Sequence, residues 1–233
     1  MSEGDRRTRL LQLAAGAAFL ALAAVLVLIV VATTSGGDGG DTKLEGVAEV
    51  DRALQGIPQH EMVLGDLQAP VELAEFADLQ CPYCKAFTED VLPPVVENQV
   101  KKGEVKVSFR NFTIIGEQSL PAGAAALAAG AQGRGWNFVE LFYRNQGAED
   151  SGYADDDFLE AIAKGAGVQD IAKWNRERGK FTGAVEKTTA EAKQLGFGGT
   201  PSLAIEGPQS NGLEPIETPG STGDLEAALE AAK

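Results

Sequence analysis

Hydrophobic and polar positions follow two periods along the chain. In EVKVSFRNF (104–112), Val105, Val107 and Phe109 alternate with Lys106, Ser108 and Arg110, the period-two signature of a half-buried strand. PVELAEF (70–76) and TPSLAIEG (200–207) read as further strands, and EMVLG (61–65) and LEPIE (213–217) as short ones. Helical periodicity takes over elsewhere. GVAEVDRAL predicts a short helix, and the stretch from Pro82 to about Val100 a longer one that Pro93-Pro94 should break or kink. LPAGAAALAAGAQG, WNFVELFYRNQ, DDFLEAIAKGAG, VQDIAKWNRER and FTGAVEKTTAEAKQLG follow as successive helices, punctuated by glycines and by GAEDSGYA. GDLEAALEAA closes the chain as a helix with Asp224 as its N-cap. The order is strand, helix, strand, a block of helices, two strands and a helix. It fits an α/β fold with a small mixed sheet and a helical insertion, and no internal repeat is visible.

A different pattern precedes all of this. LLQLAAGAAFLALAAVLVLIVVA (10–32) holds no charge and one Gln. As a helix its 23 residues would span roughly 34 Å, enough for a bilayer's hydrocarbon core. Arg6, Arg7 and Arg9 precede it and Lys43 is the first basic residue after it, so residues 1–9 are expected in the cytoplasm and the bulk of the chain outside. The run is longer than the usual core of a cleaved signal peptide. We therefore read one N-terminal transmembrane anchor on the cell membrane, with secretion after cleavage near Val30 and Ala32 as the alternative. TTSGGDGGDTK (33–43) is too polar to pack and serves as a flexible linker, and a folded domain is expected over 44–233.

Charge narrows the function. With 20 Lys+Arg against 34 Asp+Glu the net charge is −14, a surface that repels phosphate backbones, so nucleic acid is not an expected partner. One histidine, His60, and two cysteines cannot close a four-ligand zinc site within one chain. Those cysteines stand together in LQCPYCKAF (79–87), outside the cytoplasm by the topology above. Cys81 as N-cap of the helix that Pro82 opens would face free N–H groups and the positive end of the helix, which favours thiolate. Cys84, one turn later, is placed to attack a mixed disulfide formed at Cys81. The pair then reads as an exposed nucleophile and a buried resolving thiol. A zinc half-site shared with a second chain, a copper carrier and an inert buried pair remain as alternatives.

Two more features bear on this chemistry. Glu75 shares strand parity with Val71 and Leu73 and should face the core, where it could accept the proton that Cys84 loses; an acid solvated or paired at the strand end is the plainer reading. Thr200-Pro201 opens a strand, where proline is tolerated at an edge or first position or as a cis bond in a tight turn. Trp136, Trp174, Phe138, Leu141 and Phe142 read as helical core, and His60 as a surface turn residue.

CPYC, the late Thr-Pro and the helices between them together resemble the DsbA-like branch of the thioredoxin superfamily, in its membrane-anchored or exported Gram-positive and actinobacterial form. The similarity runs from about residue 56 to 232. It includes GIPQ (56–59), LGDLQAPVELAEFADLQCPYCKAF (64–87), FRNFTIIGEQS (109–119), GWNFVELFYRNQGAEDSGY (135–153) and AKQLGFGGTPSLAI (192–205). The resemblance implies a thioredoxin fold with a helical insertion at about 117–194. It maps the nucleophile onto Cys81, the resolving cysteine onto Cys84 and the buried acid onto Glu75. Thr200 and a cis Pro201 fall on the loop that holds substrate as an added strand, with Tyr83 beside it. Two departures stand out. Pro-Tyr lies between the cysteines where the best-known oxidases have Pro-His, and Val139 takes a place that is histidine in many relatives. CPYC also occurs in glutaredoxins, but the 116 residues between Cys84 and Pro201 exceed that domain size.

The implied activity is that of an extracytoplasmic thiol:disulfide oxidoreductase donating the Cys81–Cys84 disulfide to cysteine-containing exported proteins. It needs no cofactor beyond the cysteine pair, and a quinone-linked membrane protein is the implied reoxidant. The same fold run as a reductase or isomerase, for instance in cytochrome c assembly, is the first alternative, since direction is set by potential and partner. An anchored binding or chaperone module is the second.

Overall fold

The computed structural model describes residues 43–233. The expected cytoplasmic N-terminus, the apolar run 10–32 and nearly all of the linker lie outside the described residues. No helix among the described residues is long and apolar enough to cross a membrane.

Six strands form one mixed sheet: β1 (Gln59–His60), β2 (Val63–Leu64), β3 (Val71–Ala77), β4 (Val105–Asn111), β5 (Ser202–Glu206) and β6 (Glu214–Ile216), in the order β1-β2-β4-β3-β5-β6. Only β3 and β4 run parallel, joined by a helical crossover as a parallel pair requires. His60 is exposed, as the sequence implies, but it stands in β1 rather than in a turn, because the chain doubles back after it to pair Gln59 with Leu64. The alternation of β4 gives one face Val105, Val107 and Phe109, all buried. On the central β3, Val71, Leu73 and Ala77 join the larger core cluster, while Ala74 and Phe76 point to the opposite side and a smaller one.

The crossover opens with α1's successor in the chain: α1 spans Val47–Leu54, and α2 spans Pro82–Ala86. A π-turn (Phe87–Val91), the short helix α3 (Leu92–Val95) and a second π-turn (Val96–Val100) complete it. The break or kink expected at Pro93-Pro94 takes the form of π-turns that interrupt the regular helix on either side of the prolines. Both prolines fall at the start of α3, where a missing N–H costs least, and the wider turns before and after absorb the misfit.

The five predicted helices are all present: α4 (Ser119–Gly130), α5 (Gly135–Arg144), α6 (Asp156–Gly165), α7 (Ile171–Glu177) and α8 (Thr182–Gln194). They do not make one block. Ala192 of α8 packs with Ala74, Phe76, Phe112 and Ala204 on the second face of the sheet. There Arg110 ties strand to helix, reaching Glu72 at 2.9 Å and Glu191 at 2.7 Å. The other helices enclose Trp136, Phe138, Leu141, Phe142 and Trp174, all buried. Both indole N–H groups donate to carbonyls, Trp136 to Met62 and Trp174 to Ala125, each at 2.9 Å, so burying them leaves no polar atom unpaired. Gly135 lets α5 begin directly against the sheet: a Cβ there would collide with the Glu61 carbonyl and the Met62 sulfur. The last helix, α9 (Thr222–Ala231), is capped by Ser221, whose hydroxyl accepts the Asp224 N–H. Asp224 lies inside the first turn and hydrogen-bonds the Ser221 side chain at 2.7 Å, so the cap sits three residues earlier than the sequence reading placed it.

Candidate active site

β3 ends at Ala77, and the next four residues, Asp78 to Cys81, are buried. The turn closes through the Cys81 N–H, which donates to the Asp78 carbonyl at 3.0 Å. Cys81 is extended (φ −77°, ψ 121°), the conformation favoured before a proline, and caps α2 with Pro82 in the first turn. On the neighbouring strand Phe76 pairs with Ser202, so the chain just before β5 falls opposite the turn just after β3. The Thr200–Pro201 bond in that segment is cis. The Cys81 thiol donates to the Thr200 carbonyl at 3.4 Å. Strand pairing thus brings together residues 119 positions apart.

Both cysteines carry free thiols, in unlike surroundings. A hydrogen bond from the Cys84 thiol holds the Cys81 pKa down at about 6 against the opposing effect of burial, with help from the Thr200 side chain and the backbone N–H groups of Cys84 and Tyr83. Cys84 is driven far above the usual thiol range by burial first, then by its donated hydrogen bond and the negative charges of Cys81 and Glu75. The helix start contributes, as the sequence implies, but the second cysteine is the larger influence. One expectation is corrected. Cys81 is 2% exposed rather than open to solvent, because the Thr200 segment lies against its sulfur. Tyr83, at 74% exposure, is the member of the motif that meets solvent.

Glu75 is fully buried under this pair. Its Oε1 accepts the Thr88 hydroxyl at 3.4 Å, and its Oε2 has no partner. Burial, then the charge of Glu140 on α5, push its pKa up to about 8. Glu140 is itself raised to about 7, by burial and by Glu89, with Arg144 opposing. Glu140→Gln should therefore lower the Glu75 midpoint, followed by carbon-detected NMR of the carboxyl; a midpoint that stays near 8 would show that the two acids are uncoupled.

Sequence reasoning passed over several residues here. The Asp78 carboxylate accepts the N–H groups of Ile114 (2.8 Å), Ile115 (3.0 Å) and Gln80 (3.0 Å), tying the loop after β4 to the turn. Its place three residues before Cys81 at a strand end was the available signal. Glu140, Tyr143 and Gln146 come from the helical insertion and carried none. Among the described residues no three His, Cys, Asp or Glu side chains are grouped to hold a metal ion.

A family model described as thioredoxin matches residues 58–230. The chain belongs to the thioredoxin family. Within it, a probable disulfide bond formation protein D of Bacillus cereus is 31% identical over 157 residues, covering 64% of this chain and 71% of that protein. The crystal structure of oxidised BdbD from Bacillus subtilis superposes with a TM-score of 0.65 at 24% identity, over 76% of this chain and 97% of that one. A thioredoxin-like oxidoreductase from Silicibacter pomeroyi gives a TM-score of 0.59 at 28% identity, over 78% of this chain and 96% of that one. This thioredoxin-family chain is thus a DsbA-like thiol:disulfide oxidoreductase, with the fold and helical insertion that the resemblance implies.

Proposed function

We propose that this protein works outside the cytoplasm as an oxidase, passing a Cys81–Cys84 disulfide to exported polypeptides. A substrate thiolate attacks the Cys81 sulfur and breaks the Cys81–Cys84 bond. Cys84 leaves as a thiolate and takes a proton, for which protonated Glu75, buried and electrostatically coupled to it, is the donor. A second substrate thiolate then attacks the substrate sulfur of the mixed disulfide and expels Cys81. The substrate has gained a disulfide, and the enzyme has gained two electrons and is left as Cys81 thiolate and Cys84 thiol.

The observation that carries the direction is the inequality of the two thiols. The lower-pKa sulfur is the better leaving group, so the mixed disulfide resolves toward reduced enzyme and oxidised substrate. At pH 7 a pKa of about 6 makes Cys81 roughly nine-tenths thiolate, which favours the reduced state by about 1.4 kcal/mol, near 30 mV. Thr200, beside Cys81 and before Pro201, would pair with an extended substrate backbone, with the exposed Tyr83 of the same motif as a further contact. Such docking gives a substrate access to a sulfur that solvent barely reaches. The run 10–32 supports anchoring to the membrane in which a quinone-linked partner would restore the disulfide. Fractionation with N-terminal sequencing of the mature protein tests that placement: a soluble product starting after Ala32 would replace the anchor by a cleaved signal.

Equilibration against glutathione buffers tests the direction. The expected reduction potential is less reducing than about −180 mV, and a value near −270 mV would instead make the protein a reductase.

A further inference from the structure

The carbonyls of the redox turn are claimed by side chains from outside the sheet. The Asp78 carbonyl accepts the Tyr143 hydroxyl at 3.2 Å. Gln146 Nε2 donates to the Leu79 carbonyl at 2.8 Å and to the Cys81 carbonyl at 3.1 Å, so one amide bridges the Leu79–Gln80 and Cys81–Pro82 peptide groups. Tyr143 and Gln146 are three residues apart, Tyr143 in the last turn of α5 and Gln146 just beyond it, and so share a face toward the turn. Asp78 holds the other side through the N–H groups of Ile114 and Ile115. None of these side chains hydrogen-bonds a cysteine sulfur, although Tyr143 lies within the electrostatic reach of Cys84 and Cys81.

We infer that Gln146, assisted by Tyr143, is a positioning residue that sets the reactivity of Cys81 by fixing the peptide planes around it. The inference rests on the reading of Cys81 as nucleophile. The Cys81 thiolate depends on where its sulfur points: toward the Cys84 thiol, Thr200 and the N–H groups of Tyr83 and Cys84. That direction follows from the backbone torsions of Cys81, in a turn closed by the Cys81 N–H on the Asp78 carbonyl, braced by the Asp78 carboxylate and gripped from the helical side by this amide. One amide nitrogen thus restrains the Leu79–Gln80 and Cys81–Pro82 peptide groups, before and after Cys81, at once. It also satisfies the buried Leu79 carbonyl, while the Cys81 carbonyl accepts the Lys85 N–H at 3.2 Å as well. The helical insertion thereby tunes the redox centre of the sheet domain without contributing a reacting atom.

The test is the ultraviolet titration of the Cys81 thiolate in Gln146→Met, which keeps the length of the side chain and loses both donors, and in Tyr143→Phe, which loses one hydroxyl. In Gln146→Met the midpoint should rise by about half a unit to one unit, so that below the midpoint the thiolate fraction falls roughly three- to tenfold. Tyr143→Phe should move it the same way by less. Single-turnover oxidation of a dithiol peptide should slow in kcat with KM unchanged. A lower thermal midpoint with the titration and kcat unmoved would make both residues merely structural and overturn the inference. Because Tyr143→Phe removes a single atom from a buried ring, it provides the readout if Gln146→Met fails to fold. A wild-type midpoint in the ordinary thiol range would count against Cys81 as nucleophile, whereas a midpoint unchanged on substitution counts against Gln146 and Tyr143 alone.

Discussion

Glu75→Gln should be more stable than the parent protein above pH 8 and slower to complete disulfide exchange. The stability change follows from the raised pKa. An ordinary Glu titrates near 4.5, and the folded-state value here is about 8. A raised folded-state pKa contributes stability that is fully present below the unfolded value and is lost as pH rises through the folded one. Between pH 4.5 and 8 the parent therefore forfeits about 4–5 kcal/mol, the cost of ionising a carboxyl with one weak hydrogen bond and one unpartnered oxygen. Gln keeps the shape and cannot ionise, so denaturant unfolding at a series of pH values should show a flatter profile for the variant. Equal slopes in the two proteins would mean that Glu75 is not the buried acid described. The kinetic change has a separate origin. Cys84 has no solvent to exchange protons with, and removing its buried carboxyl should slow the step that forms or consumes its thiolate by roughly 10²–10⁴-fold, read by acid-quenched mixed disulfides.

Substitution of the cysteines separates their roles. Cys81→Ser should abolish dithiol oxidation and insulin reduction, a loss of at least about 10³-fold, because the thiolate is the reacting species and a hydroxyl at that pH is not. Cys84→Ser should instead leave Cys81 able to exchange with small disulfides and should accumulate mixed disulfides that cannot resolve internally. Mass spectrometry distinguishes the two outcomes. Activity retained in Cys81→Ser would favour a binding module that uses the groove without its redox chemistry.

The residues that the sequence made legible are those whose signal is local. The alternation of β4 placed Val105, Val107 and Phe109, and strand parity alone turned Glu75 inward among Val71 and Leu73. Pro82 after Cys81 marked the helix start. What was not legible depends on distant partners. The burial of Cys81 comes from Thr200, 119 residues away, and the grip of Gln146 spans 65 residues to Cys81. The prolines at 93 and 94 marked an interruption of the helix but not its form, because a proline's effect depends on which helical position it occupies and π-turns have no simple sequence mark. At α9 an acidic residue in the first turn was taken for the cap, although Ser221 supplies the hydroxyl and Asp224 braces it.

The meeting of Cys81 with Thr200 on one side and Gln146 on the other has a consequence for the life of the molecule. Cys84, one turn away, supplies the largest share of the sulfur's acidity, but the share of Thr200 arrives only with the final third of the chain. A copy in which that segment has not docked therefore carries a less acidic Cys81. The full acidity of the reactive sulfur is thus a property of the completed tertiary structure rather than of the CPYC motif alone.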